Sequence, residues 1–273
     1  MTRPPARYWI DLTTAEFAEI DRARLIALLP VGATEQHGPH LPLSVDSRIA
    51  AALVKRVSDA LPADFPLSVL PMLHFGVSPE HADFPGTLSL SAETMLALLM
   101  DVGKSVAAAG IKKLAILNSH GGQPQILDIA AQKLRRECRL LVFPLNGYRY
   151  WNVEQHFGAE EAAVGVHGGA AETSIMLAIA AETVRRGELA DFPSLAGDMA
   201  KRFRHLRPHG RIASFGWQAQ DLNPAGAVGN ALSADAAKGE ALLAEAAATL
   251  TEILREIDAL APGVLKDAPR GGP

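Results

Sequence analysis

RLIALLPVGATEQHGPHLPLSVD, Arg24 to Asp46, begins as an apolar run, breaks at Pro30 and Gly32, and continues as a loop carrying Glu35, His37, His40 and Asp46. A short apolar run that stops at Gly, Pro or Asn reads as a parallel strand buried on both faces. PLSVLPM (Pro66 to Met72), KKLAILN (Lys112 to Asn118) and RLLVFPLN (Arg139 to Asn146) have the same form. Helical stretches follow each run: Asp46 to Ala60, Ser91 to Ala109, Pro124 to Glu137 and Glu172 to Arg185. In the second of these, Ser91 is placed as an N-cap, and Met95, Leu98, Leu99, Val102 and Val106 recur at helical spacing. Strands alternating with helices predict an α/β fold, an open parallel sheet covered on both faces, with its site at the carboxyl ends of the strands.

A chain of 273 residues can bury a large core. No linker divides it, so residues 1 to 262 are expected to form one domain, with residues 263 to 273 as a disordered tail. Thr13 and Glu16 fit a capping box, Asp191 to Asn230 is a Gly- and Pro-rich irregular excursion, and Ser233 to Leu260 is an Ala-rich amphipathic helix. No apolar run approaches the ~20 residues that cross a bilayer, and the N-terminus lacks the apolar core of a signal peptide. A soluble, cytoplasmic protein with no membrane partner is therefore expected. The formal net charge is −4 and the basic residues are scattered, which argues against a nucleic-acid partner. The one cysteine, Cys138, lies between charged and apolar segments and reads as a structural thiol, which disfavours a cysteine hydrolase.

Glu35 and His37 are two apart, so in an extended loop they point the same way, and Asp46 closes the segment at a helix start. Carboxylate and imidazole together suit zinc, manganese or iron, and a catalytic site needs about three protein ligands with one position open. The alternative is that His37 and His40 are hydrogen-bonding loop residues and Asp46 a helix cap; this segment alone does not choose. In NSHGGQP, Asn118 to Pro124, His120 stands at a strand end, and Gly121 and Gly122 let the backbone approach a ligand. No G-x-G-x-x-G and no P-loop Lys-Ser is present there, so metal or substrate is preferred to phosphate. HGGAAETSIML, His167 to Leu177, sets Glu172 at the start of an apolar helix, where the macrodipole alone would explain an acid. SPEHADFPGTLSL, Ser78 to Leu90, offers Glu80 and His81 to a pocket, although such a pair is more often surface.

Together these stretches, with AVGNALSADAAKGEALL near the end, resemble the creatininase (creatinine amidohydrolase) family from about Thr13 to about Leu243. The resemblance implies a three-layer α/β/α fold with a mostly parallel central sheet and a homo-oligomer, usually a hexamer. It also implies a hydrolase that cuts a carbon–nitrogen bond of a small, often cyclic, amide with one or two divalent metals. Two ions per chain are expected, zinc with zinc, manganese or iron. The family's ligands fall on Glu35, His37, Asp46 and His120, with Asp46 placed to bridge. Creatininase takes a further carboxylate ligand just after the equivalent of His120. This chain has Gly122 there, so Glu172 becomes the substitute, as fifth ligand or proton shuttle.

On this reading Glu172 is the first candidate to protonate the leaving nitrogen and Glu80 or His81 the second, beside a catalytic His120. The backbone of Gly121 and Gly122 is placed at the developing oxyanion, Ser119 and Gln123 at the substrate, Trp151 as an aromatic wall, and His167 in the same pocket. The family's HAGxxETS reads HGGAAETS here, with Ala171 where a bulky residue is common, so the best-known substrate does not carry over. Formamide, lactam and short-peptide bonds all fit. Two other classes remain: a metal-dependent isomerase or lyase acting on a sugar-like substrate, and a non-catalytic module keeping the site as a metal or effector pocket.

Overall fold

The computed structural model describes residues 7–209 and 212–266. Four strands, β1 (Ile26–Val31), β2 (Leu67–Val69), β3 (Lys113–Asn118) and β4 (Leu141–Asn146), form one parallel sheet in the order β2-β1-β3-β4. Every residue of β1 and β3 is buried, as expected of apolar runs in the middle of a sheet. Alternate side chains of β1, and of Leu25 just before it, serve opposite faces: Leu25, Ala27, Leu29 and Val31 enter one apolar cluster, Ile26 and Leu28 another.

The first face is covered by α3 (Ala92–Ala108) and α4 (Pro124–Cys138), which contribute Met95, Leu99, Leu127 and Leu134. The second is covered by α2 (Val45–Ala60) and α9 (Ala236–Ala259), through Leu53, Val57, Leu250 and Leu254. Each such side chain contributes about 1.5–3 kcal/mol when fully buried. The result is the expected three-layer α/β/α arrangement. A short helix, α6 (Ala170–Ile179), packs outside α2 and α9 through Ile175 and Met176. The remaining helices are α1 (Thr14–Ala18), α5 (Val153–Val164), α7 (Leu195–Arg202) and α8 (Ala219–Leu222).

Local signals placed several ends correctly. Thr13 and Glu16 make the capping box of α1, and the Ser91 side chain accepts from Thr94 N–H at the start of α3. Others were misplaced. The helix expected over Glu172 to Arg185 begins at Ala170 and stops at Ile179, because Ala180 leaves helical geometry (φ −157°, ψ 50°). The chain then takes short 3-10 turns, stabilised by the Thr183 hydroxyl donating to Ala180 O at 2.7 Å. Helix α5 carries no periodic signal in the sequence: its polar and apolar residues are mixed around the axis, and Gly158 at φ 88° kinks it. The excursion from Asp191 to Asn230 is closed at its base by a two-stranded antiparallel ribbon, β5 (Asp191–Phe192) with β6 (Gly229–Asn230), and contains α7 and α8. Of the expected tail, Pro262–Val264 form a 3-10 turn and Arg135 donates to Lys266 O at 2.9 Å; residues 267–273 lie outside the described residues.

The α6–α9 contact depends on Gly239. A Cβ there would fall on the backbone carbonyl of Ser174, which cannot swing away. Replacing a mid-helix glycine by alanine ordinarily stabilises by about 0.8–1 kcal/mol. At Gly239 overpacking, about 1–3 kcal/mol, wins. Gly239→Ala is thus expected to lower the urea midpoint, while Gly197→Ala in α7, where an added Cβ meets nothing within 4 Å, raises or holds it. Equal effects in the two variants would contradict this packing.

Candidate metal centre

The strand order switches sides at β1: β2 lies on one side of it, and β3 then β4 on the other, all parallel. Loops leaving adjacent strands at such a point diverge and leave a crevice at the carboxyl ends. The loop after β1 delivers Glu35 and His37, the first turn of α2 delivers Asp46, and the loop after β3 delivers His120. Two further segments close over them, a 3-10 turn at Pro79–His81 and the loop leading into α6.

Glu35 is the hub. Its Oε1 lies 3.1 Å from His120 Nδ1, 3.6 Å from His81 Nε2, 3.8 Å from His167 Nδ1 and 3.9 Å from His37 Nε2. Asp46 stands between His120 and His37, 3.8 Å from each. Glu172 Oε2 is 4.0 Å from His37 Nε2 and accepts the Gly168 N–H at 2.6 Å. Two donor triads therefore share Asp46: Glu35, Asp46 and His120, and His37, Asp46 and Glu172. Within each, one donor atom per residue lies within 4.8 Å of the others. Glu35, His37 and His167 form a third such group.

Backbone hydrogen bonds set the histidine tautomers. His37 Nδ1–H donates to Glu35 O at 3.1 Å and His120 Nε2–H to Val77 O at 2.9 Å. His37 is left with a bare Nε2 facing the carboxylates, whereas His120 turns Nδ1 to Glu35 Oε1 at 3.1 Å and would expose a lone pair there once a metal displaced the proton. A backbone partner on the far nitrogen is usual for a metal-ligating histidine. Glu35 Oε2, Asp46 Oδ2 and His37 Nε2 are buried with no hydrogen-bond partner among the described residues. Orphaned buried acceptors of this kind are costly, and a divalent cation satisfies all of them.

The charges tell the same story. Burial disfavours a proton charge on His120, yet Glu35, with Asp46 and Glu80, raises its pKa to about 10. Burial alone would raise Glu35, but His120 and the other histidines hold it well below the usual carboxylate range. Asp46 is pushed well above its ordinary value, first by burial and then by Glu35, Glu172 and Glu80. Burial also lowers His37 and His167 to about 4 and His81 to about 2. Negative charge is in excess here, and the site calls for a cation.

Several expected residues have other surroundings. Ser119 donates to Asp46 O at 2.8 Å and Val31 O at 3.2 Å, so it holds the backbone of Asp46. Gln123 is fully buried, donating to Asn118 Oδ1 at 2.9 Å and accepting from Val77 N–H at 3.1 Å. Both brace the loops, and neither faces the crevice. Trp151, partly buried, packs against the apolar clusters around Leu145 and Ile175. His40 bonds Thr173 Oγ1 at 2.9 Å and stacks on Phe192, away from the donors. Gly121 and Gly122 are exposed; a side chain at Gly122 would run into Glu80 and His120, which is the physical reason for glycine there. Glu80 reaches over it to within 3.6 Å of His120 Nε2.

Two contributors escaped the sequence reading. Gln36 bonds His81 and the excursion, and Asn118 Oδ1 accepts His120 N–H at 3.0 Å. A glutamine between Glu35 and His37 gives no periodic or spacing signal.

Protonated His120 and Asp46 carry protons in the metal-free fold that the unfolded chain releases at lower pH. Folded pKa values raised in this way give stability that is lost as pH rises. Without metal, the urea midpoint is expected to fall between about pH 7 and 10, and the fall to vanish in His120→Gln or with zinc present. An unchanged midpoint across that range would remove the coupling described here.

The creatininase (creatinine amidohydrolase) family model matches residues 10–254. A mycofactocin precursor peptide peptidase of Mycolicibacterium smegmatis is 36% identical over 222 residues, 81% of this chain and 80% of that one. A creatinine amidohydrolase of Pseudomonas putida is 30% identical over 203 residues, 67% of this chain and 75% of that one. Among solved structures, a creatininase shares the fold with a TM-score of 0.77 at 23% identity, covering 93% of this chain and 99% of the other. With this sheet, these donors and these relatives, the chain belongs to the creatininase family of hydrolases acting on amide carbon–nitrogen bonds.

Proposed function

We propose that the protein hydrolyses the carbon–nitrogen bond of a small amide or short peptide at a pair of divalent ions bridged by Asp46. Glu35 and His120 complete one set of ligands, His37 and Glu172 the other. The shared position of Asp46 between the two donor triads carries this reading. A creatininase of the same fold is described as a manganese form. The relative at 36% identity is a peptidase, which favours a peptide bond among the candidate amides. When bound, such ions supply a water acidic enough to give hydroxide near pH 7 and polarise the amide carbonyl.

The chain's own groups do the rest. An amide nitrogen must be protonated as it leaves. Glu172 is engaged by the Gly168 N–H and faces His37, which suits a ligand. Glu80 stands at the rim, and burial raises its pKa, so its carboxyl can hold a proton at the edge of the crevice. We assign the proton delivery to Glu80. Gly121 and Gly122 leave the backbone open beside His120 for the substrate. The protein is further proposed to act in the cytoplasm as a homo-oligomer, whose number sedimentation of the full chain would read directly.

Elemental analysis of protein purified without chelator or a metal-affinity tag is expected to give two ions per chain. Asp46→Asn should reduce this to one or none. A chain that remains metal-free after incubation with zinc, manganese and iron would end the hydrolytic reading. On the best amide from a panel of formamides, lactams and short peptides, Glu80→Gln is expected to lower kcat about 10²–10⁴-fold at unchanged metal content. Full activity in that variant would return the proton delivery to another group.

A further inference from the structure

Gln36 lies between two ligand candidates, yet its own side chain faces neither. Its Oε1 accepts Gly38 N–H at 2.8 Å, which fixes the orientation of the amide. The opposite orientation would set an amide N–H against the Gly38 N–H and an oxygen against the carbonyl of Gly226. With the orientation fixed, the two amide hydrogens of Nε2 go to Gly226 O at 2.9 Å and to His81 Nδ1 at 2.7 Å.

Each contact determines where an imidazole carries its proton. His81 Nδ1 accepts, so its hydrogen is on Nε2, and that atom lies 3.6 Å from Glu35 Oε1. The main-chain oxygen of Gln36 is 2.6 Å from His167 Nε2 and can only accept, so His167 carries its hydrogen there. Its Nδ1 is then bare, 3.8 Å from the same Glu35 oxygen. The 3.3 Å between Gln36 Nε2 and His167 Nε2 is a contact between two donors and carries no hydrogen bond. The two rings are stacked with centroids 4.1 Å apart, so neither can turn over without leaving the stack.

We propose that Gln36 is a positioning residue that imposes the same Nε2–H tautomer on His81 and His167, through its side chain on the first and its main chain on the second, while the two rings turn different nitrogens, Nε2 of His81 and Nδ1 of His167, toward Glu35. The site thereby presents one N–H and one lone pair beside the same carboxylate. A substrate oxygen is received at His81, and a metal or a substrate proton at His167. The bond to Gly226 adds a second effect: the excursion is fastened to the amide that sets these protons.

The use made of the two nitrogens rests on the proposed hydrolase, but the tautomers themselves need neither substrate nor turnover to be read. In the full chain labelled with 15N-histidine, long-range proton–nitrogen correlation spectra distinguish an N–H nitrogen from a bare one. Both the metal-free and the zinc-loaded protein would be measured. Signals are assigned by their loss in His81→Gln and His167→Gln. The wild type is expected to show hydrogen on Nε2 of both rings. Gln36→Glu replaces the amide donor by an acceptor, so the His81 hydrogen should move to Nδ1, while His167, bonded to the main chain, stays as it was. Gln36→Met, which keeps the volume, should give His81 as a mixture. A His81 hydrogen on Nδ1 in the wild type would overturn the proposal. So would a Gln36→Glu protein with a native amide spectrum and an unmoved His81. Absence of zinc uptake with the expected tautomers would count against the hydrolase and leave this assignment standing.

Discussion

Three carboxylates, Glu35, Asp46 and Glu172, converge inside the protein within reach of one imidazole, and like charges at that separation cannot all be buried without a cation. In the metal-free chain protons take that part, which is why His120 is raised and Asp46 is pushed up. In the proposed hydrolase a metal pair would replace those protons, so that metal binding, proton release and stability would be one equilibrium. The surrounding structure holds the carboxylates together against their repulsion.

That holding is done mainly by backbone. Val31 O receives Ser119 N–H at 3.0 Å, continuing the β1–β3 ladder into the loops that carry the ligands. Ser119 and Gln123, buried behind the donors, tie those loops together and to the backbone of Asp46. On the opposite side Glu161 fastens the loop before α6 to the base of the excursion. One carboxylate oxygen accepts Ala170 N–H at 2.7 Å and the other Asn230 N–H at 2.8 Å. The glycines at positions 165, 169 and 229 crowd this carboxylate so closely that none could bear a side chain. Glu172 and His167 thus inherit their positions from a staple that is itself away from the reacting centre.

The moderate pocket chemistry follows from the same arrangement. His37, His167 and His81 form a stack at 4.1 Å steps, and burial keeps the three rings neutral. Neutral imidazoles can serve as ligands or as hydrogen-bonding groups of defined direction. Charged ones would add to the cation and repel it. Glu80, whose carboxylate leans over the exposed Gly122, is the group proposed to exchange a proton between crevice and solvent.

The strands and the layers on both faces of the sheet were legible along the chain. Apolar runs ending in Gly, Pro or Asn leave few alternatives to a buried parallel sheet, and Leu25 to Val31 alternates between two cores as that reading requires. Glu35, His37, Asp46 and His120 stood out as carboxylates and imidazoles at strand ends, but the residues alone left a hydrogen-bonded loop open beside a ligand set, and the family resemblance chose between them. Tertiary structure decided which side chains meet across loops distant in the chain. Ser119, Gln123 and Trp151 are polar or aromatic near the site in sequence, yet their hydrogen bonds and packing turn them inward. Gln36 showed the reverse: an unremarked amide whose partners, His81 and Gly226, lie 45 and 190 residues away. Periodicity and local capping are properties of neighbouring residues and can be read along the chain, whereas tautomer, charge and the partner of a buried amide depend on groups that only folding brings together.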